Sequence, residues 1–227
     1  MIAFAVALIV PTILFAGFLL WQVAEVEKAR VAEEARRTGQ HVAVAVEREL
    51  TGMVATLEAL ATSPSLDADD LAAFQDQAAR AVRAPEARIG LRDREGRQLM
   101  HTQVPYGEPL PPAVDREPDL KVLATRQPYV SDVIEGAVVR RPLIAVDVPV
   151  LRAGEVRYVL HMSVPLSHWL KVLQGSVADP VASVGLIDRK GMFIARLRQH
   201  EQFAGRPAGD DIRALRGDEG SVTRTNI

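Results

Sequence analysis

Cysteine is absent from the 227 residues, which excludes disulfides, thiolate metal sites and cysteine nucleophiles together and leaves the redox compartment open. Lysine is scarce, occurring only at 28, 121, 171 and 190, so nearly all positive charge is arginine, a compositional bias with no functional weight of its own. Aromatic residues make up 5% and are not interleaved with a basic patch, and 27 basic against 29 acidic residues leave a net charge of −2. Nucleic acid is therefore set aside as a partner. Charge is missing altogether from the first 21 residues, MIAFAVALIVPTILFAGFLLW. At about 1.5 Å per residue that run is long enough to cross a hydrocarbon core of roughly 30 Å. Pro11 is tolerated in a membrane helix, and Trp21 stands where an interfacial aromatic is expected. No basic n-region precedes the run and no small-residue cleavage site follows it before Glu25. Residues 1–21 thus predict an uncleaved transmembrane anchor rather than a signal peptide. With no charged N-terminal flank, the positive-inside rule gives no orientation.

One stretch is written twice. ARIGLRDREG at 87–96 recurs as ASVGLIDRKG at 182–191, so that Ala87, Gly90, Leu91, Asp93, Arg94 and Gly96 return 95 residues later. In each copy an apolar run leads into Asp-Arg-(Glu/Lys)-Gly, whose glycine permits the positive φ of a tight turn, and then into a second apolar run. Each copy predicts a β-hairpin, with Asp93 and Asp188 organising the turns through side-chain to backbone bonds. The constant offset predicts two duplicated modules of about a hundred residues.

Between anchor and repeat, Val23 to Thr62 reads as a long stalk helix, with Val46, Leu50, Met53, Leu57 and Leu60 on one stripe and Ala32, Ala35 and Gly39 preceding them on a similar one. That stripe suits packing against the chain's own domain or a homodimer seam, and both are open. Pro64 ends the helix. Asp67 then reads as an N-cap with Asp70 at N3, followed by Leu71, Phe74, Ala78 and Val82 on the buried stripe of a second helix. Strands are expected over 88–94, 98–104, 143–151 and 156–164, with an extended piece at 129–134. A Pro-rich loop fills 105–118, short helices fill 119–126 and 166–174, and a turn falls at Ala153-Gly154. These short connections imply a mostly antiparallel sheet. After the Asp179-Pro180 break, strands at 184–188 and 192–197 repeat the hairpin. A short helix at 210–216 and a strand opening at 220 follow, so the second module is expected to be incomplete. The fold class read from this order is α+β, divided as anchor 1–21, stalk 22–63, first module 64–175 and start of a second module 176–227.

The order of membrane helix, stalk and two modules each opening with (I/V)GL-x-D-R-x-G resembles the double Cache ectodomain of bacterial transmembrane receptors. Ile89 to Gly96, Val184 to Gly191, PYVSDV at 128–133 and the strands around Val146 to Pro149 and Tyr158 to Ser163 carry the resemblance, which spans nearly all of the chain. It implies two PAS-like antiparallel-sheet modules outside the inner membrane, in the periplasm. A small-molecule ligand would bind in the membrane-distal module, and the output, a histidine kinase, chemoreceptor or cyclic-dinucleotide enzyme, would lie across the membrane. The histidine kinase of a two-component system is the leading expectation. The amino-acid-binding branch carries Arg-x-x-Trp, whereas Arg126 here is followed by Gln127, Pro128 and Tyr129. The resemblance therefore does not extend to amino acids as ligand.

Candidate ligand contacts come from the first module. His101 and His161 lie on strands expected to share one sheet, and a neutral imidazole donates and accepts at once. Tyr129 and Asp132 are spaced to reach one ligand from an extended segment, and Arg141 suits a carboxylate or phosphate. Asp147, between Val146 and Val148, reads as facing solvent. No nucleophile elbow, zinc-protease, phosphate-loop or dinucleotide pattern occurs, and no cofactor is expected. His41, His168 and His200 fit no metal spacing. The reading is a sensor region without catalysis of its own, against an enzyme whose catalytic part lies outside these residues or a purely structural dimerisation domain.

Overall fold

The computed structural model describes residues 2–82, 84–177 and 184–210, without the side chains of residues 2–14, 16 and 20. The backbone is helical from Ile2 to Ala61 as one helix, α1. The expected anchor over 1–21 has most of its side chains outside the described residues; among those described, no helix is long and apolar enough to cross a membrane. The expected break at 179–180, most of the helix at 210–216 and the strand from 220 also lie outside them.

The stalk stripe packs inward. Val42, Met53, Leu57, Leu60 and Ala61 are buried in the main core, with Val46 and Leu50 partly buried against it. Upstream, Val23, Val26 and Val31 are exposed. Two side chains from elsewhere hold the packed half: Arg152 donates to the Ala61 carbonyl at the helix end at 3.1 Å, and His168 Nε2 lies 2.7 Å from Glu49 Oε1.

Pro64 ends α1 and also begins α2, Pro64–Asp67, because a first-turn proline lacks only an N–H that needs no helical partner. Ser63 caps α2, and the cap of α3, Leu71–Ala81, is Asp70, whose carboxylate accepts from Ala73 N at 3.1 Å. The expectation that Asp67 caps this helix is corrected. It closes α2 instead and pairs with Arg152.

Six antiparallel strands make the main sheet: β1 Arg88–Arg92, β2 Gln98–His101, β3 Tyr129–Val130, β4 Ile134–Glu135, β5 Pro142–Arg152 and β6 Glu155–Pro165. The order is β2-β1-β6-β5-β3, and β4 also pairs with β5. The single extended piece expected at 129–134 divides at Ser131, whose N–H still donates to the Ala145 carbonyl at 2.8 Å but whose hydroxyl, in place of a carbonyl, receives Ala145 N at 2.9 Å. Helix α4, Glu117–Thr125, follows the Pro-rich loop, and α5, Leu166–Ser176, follows β6.

Period-two alternation gives the sheet two unlike faces. Ile89, Leu91, Met100, Ile144, Val146, Val148, Val150, Leu160, Met162 and Val164 are buried in the core with the stalk, Phe74 and Ala78 of α3, and Trp169 and Leu173 of α5. The residues between them point the other way, toward α4 and the Pro-rich loop.

The repeated stretch forms the same hairpin twice. In the first, Gly90, Leu91 and Arg92 pair with His101, Met100 and Gln98; in the second, β7 Gly185–Ile187 and β8 Phe193–Arg196 pair Gly185, Leu186 and Ile187 with Arg196, Ala195 and Phe193. Every partner is displaced by the same 95 residues, and the register shift falls at Leu91/Arg92 and again at Leu186/Ile187. Asp93 Oδ1 accepts from Arg97 N at 2.8 Å and Asp188 Oδ1 from Met192 N at 2.7 Å, while Gly96 and Gly191 take φ values of 82° and 79°. A four-residue helix, α6 His200–Phe203, completes the described chain.

Leu57→Ala is expected to cost about 2–5 kcal/mol, the range for emptying a filled core site, whereas Val44→Ala on the exposed side of the same helix should stay within about 0.5 kcal/mol. Urea unfolding of the two variants measures this, and equal effects would show that the stalk is not part of the core.

Candidate functional site

Residues directly opposite in antiparallel strands share a face. Across the sheet His101 pairs with Gly90, Gly90 with His161, His161 with Asp147 and Asp147 with Tyr129, one row running through five strands on the face away from the stalk. Two predicted ligand residues, His101 and His161, are thereby brought together, with ring centroids 6.2 Å apart. Gly90 makes this possible. A Cβ on it would fall 2.6 Å from His161 Nε2 and 3.2 Å from His101 Cδ2.

Arg92 lies two residues farther along β1 on the same face. It is 7% exposed, and its guanidinium pairs with Asp147 through Nη2 and approaches Asp119 of α4 with Nε 2.9 Å from Oδ1. Asp119 and Asp147 are fully buried. The expectation that Asp147 faces solvent is corrected: it does point away from the core, but α4 covers that side. Asp119 Oδ2, Asp147 Oδ2 and His161 Nδ1 are buried without a hydrogen-bond partner among the described residues, and Asp119 Oδ1 meets Arg92 Nε as an ion pair. Such groups cost free energy wherever they occur, so this face holds polarity that the fold does not require.

Burial sets the charge states. It pushes the Asp147 carboxyl up to about 6, opposed by Arg92 and reinforced by Asp119. Asp119 is also raised, by burial first and against the pull of Arg92. His101 is lowered to about 4 and His161 falls well below the usual imidazole range, in both cases by burial first and then by neighbouring positive charge, Arg88 and Arg92 on His101 and Arg92 on His161. Both rings are neutral at pH 7. His101 Nδ1 accepts from Gln103 N at 3.2 Å, which leaves its proton on Nε2.

Two cavities open over this face. One, of about 40 Å³, is lined by Arg92, His101, His161, Asp115 and the 134–139 segment; the other, of about 70 Å³, is lined by Arg88, Gln103 and Arg141. Val139, Leu143 and Ser163 line both. Arg141 is thus at the second cavity, exposed. Neither Tyr129 nor Asp132 lines either one. Asp132 accepts from Arg189 N and Nε at 3.2 and 3.0 Å, and the Arg189 guanidinium lies 4.9 Å from the Tyr129 ring centre, so the second hairpin engages both. Arg126 points elsewhere, to Glu155 at 3.0 Å. Among the described residues no group of three or more acidic or histidine side chains is arranged to hold a metal.

Sequence reasoning missed Arg92 and Asp119. A signal for Arg92 was present, since it stands where the second copy of the repeat has Ile187, a charge in a position the fold fills with an apolar residue. Asp119 in the first turn of a helix carried no such mark.

No protein-family model and no curated protein matches the sequence. Solved structures do match in fold. The ligand-binding domain of a Pseudomonas aeruginosa amino-acid chemoreceptor in complex with GABA is 15% identical, with a TM-score of 0.55 over 77% of each chain. That of a Campylobacter jejuni chemoreceptor in complex with L-valine is 14% identical, with a TM-score of 0.54 over 80% of this chain and 75% of that one. An extracellular ligand-binding receptor from Desulfohalobium retbaense is 17% identical, with a TM-score of 0.58 over 80% of this chain and 33% of that one. The fold is shared with these receptor ligand-binding domains.

Asp147 has a folded-state pKa above its unfolded value, so its contribution favours folding fully below about pH 4 and is lost as the pH rises through about 6. Asp147→Asn removes that dependence. The stability of the wild type relative to the variant, from urea unfolding at pH 4 to 7, should fall as pH rises; a flat difference would show that the buried carboxyl titrates normally.

Proposed function

We propose that the chain is the extracytoplasmic ligand-sensing region of a membrane-bound signalling receptor, binding a small molecule over the row His101, Gly90 and His161. The observation that carries this reading is a sheet face with buried, incompletely partnered polar groups under an irregular cover, in a fold shared with domains solved with small ligands bound. Ligand pockets take this form, apolar walls with a few convergent polar groups, and strongly shifted ionisable groups concentrate at such sites. The proposed contacts are His101, His161 and Arg141, with Arg92 added. Tyr129 and Asp132 bound the site at the sheet edge, where they connect it to the second hairpin.

Residues 1–21 are proposed as the transmembrane anchor in the bacterial inner membrane, 64–175 as the membrane-distal module in the periplasm and 176–227 as the start of the proximal one. The exposed Val23, Val26 and Val31, upstream of the half of α1 that the core consumes, support a homodimer through the stalk. Ligand binding would then shift the population between two arrangements of stalk and anchor, by as much as its affinity differs between them. A two-component histidine kinase remains the proposed output on the sequence reading, while a chemoreceptor is favoured by the nature of the structural neighbours. Amino acids are those neighbours' ligands. Transfer of that specificity is not proposed, since Arg126 is directed to Glu155 and Tyr129 stands where the Arg-x-x-Trp pattern has tryptophan.

A thermal-shift screen of the 227-residue chain against small metabolites tests the reading. A true ligand at a hundredfold its Kd should add about 2.7 kcal/mol of stability, and Gly90→Ala, whose methyl group displaces His161, should abolish the gain. Failure of every compound to stabilise the protein would refute direct sensing.

A further inference from the structure

We propose, resting on the small-molecule reading above, that the two cavities form one groove for a ligand carrying two carboxylates, one held at Arg88 and Arg141 and the other at Arg92 and the imidazole pair. Continuity is the first support, since Val139, Leu143 and Ser163 line both cavities. Placement of the cations is the second. Arg88 and Arg92 occupy one face of β1 four residues apart, roughly 13 Å along the strand, and the only residue between them on that face is Gly90. Guanidinium groups are thus set at the two ends of a floor without a side chain of its own. Arg141 stands on the wall of the Arg88 end, exposed, its side chain without a hydrogen bond or ion pair among the described residues.

Arg88, Arg92 and Arg141 share the groove lining with Glu86, Asp115 and Glu135, and the Arg88 guanidinium donates through Nη1 to the Pro85 and Ala87 carbonyls at 2.9 and 2.6 Å. His101 presents Nε2–H, because its Nδ1 is occupied by Gln103 N. His161 lines the cavity at 6% exposure with Nδ1 unpartnered. Of the acidic residues in the lining, Glu86 receives Ser167 and Lys171 on Oε2, and Asp115 accepts from Glu117 N on Oδ1. Glu135 is exposed at the rim. Asp119 and Asp147 lie behind Arg92 and do not line either cavity, so they fix the guanidinium rather than meet a ligand. A planar guanidinium held in this way matches a carboxylate bidentately. The spacing fits two carboxylates joined by a short chain of carbons, longer than the backbone of an α-amino acid.

Isothermal titration of the full 227-residue chain in detergent with succinate, glutarate and adipate, against butyrate and GABA, tests the proposal. At least one diacid should bind roughly tenfold or more tighter than butyrate, the second carboxylate adding a charge-assisted pair. Arg88→Met and Arg141→Met should each bring the affinity for the diacid down to about that for butyrate, and Arg141→Met should keep the wild-type melting temperature because its side chain makes no hydrogen bond or ion pair among the described residues. Diacids no tighter than butyrate, or binding of GABA alone, would overturn the two-carboxylate groove and leave the sensor reading intact. Silence of these compounds together with the whole metabolite panel would overturn both.

Discussion

One guanidinium stands between two buried carboxylates, and the polar side of the sheet is arranged around it. Arg92 comes from β1, Asp147 from β5 and Asp119 from α4, so a single side chain connects a strand near one edge, a central strand and the helix that covers them. Taking three charged groups out of water is expensive, and their mutual attraction returns that cost only where geometry and hydrogen bonding are complete. Here they are incomplete: beyond the Arg92–Asp119 and Arg92–Asp147 ion pairs, Asp119 Oδ2, Asp147 Oδ2 and His161 Nδ1 have no hydrogen-bond partner among the described residues. A core filled with apolar side chains would serve stability better, as the opposite face of the same sheet does with its aliphatic set. The polar face is therefore the part of the molecule whose composition stability does not explain, which is the ground for the binding site proposed there.

The cover of that face is tied to the second hairpin rather than to the stalk. The turn Asp188-Arg189-Lys190 meets β3, the link to β4 and the first turn of α4: Asp188 Oδ2 accepts from Val133 N at 2.9 Å, Arg189 Nη2 donates to the Val130 carbonyl at 2.6 Å, and Lys190 reaches Glu117 at 3.2 Å. Glu117 is two residues from Asp119 on the same helix. Displacement of α4 by a ligand at Arg92 would act on Lys190 directly. The stalk packs on the other face through aliphatic contacts, so the sheet lies between the site and the helix that leads toward the proposed membrane anchor.

Much of this was legible in the sequence because it rests on local periodicity and turn chemistry. The 4-3-4-3 stripe of the stalk, the alternation of LIAVDVPVL and the paired D-R-x-G turns are each determined within a dozen residues, and the elements they predict occur where expected. What failed depends on non-local cover. Alternation says that Asp147 points away from Val146 and Val148, but only the position of α4, more than twenty residues earlier in the chain, decides whether that side is water or interior. Asp132 and Tyr129 share the difficulty, since the hairpin that engages them lies more than fifty residues later. The Asp67 error is of another kind: Pro64 was read only as a helix stop, when a proline at the first helical position also begins one.

The two copies of the hairpin show how one backbone serves two purposes. Gly90 and Gly185 hold the same place in the same register, opposite His101 and Arg196 respectively. Beside Gly90 the space goes to two neutral imidazoles; beside Gly185 it goes to Phe193, whose ring would lie 3.2 Å from an added Cβ. Arg92 in the first copy answers to Ile187 in the second, and the second has no cross-sheet row to join because β7 and β8 pair only with each other among the described strands. Asp93 and Asp188 bind their own turns alike through one oxygen but spend the other differently, Asp93 on the Arg97 side chain and Asp188 on Val133 of the neighbouring sheet. The duplicated turn thus fixes geometry in both copies, and the residues that differ at matched positions separate a copy built around a polar site from one built to dock against it.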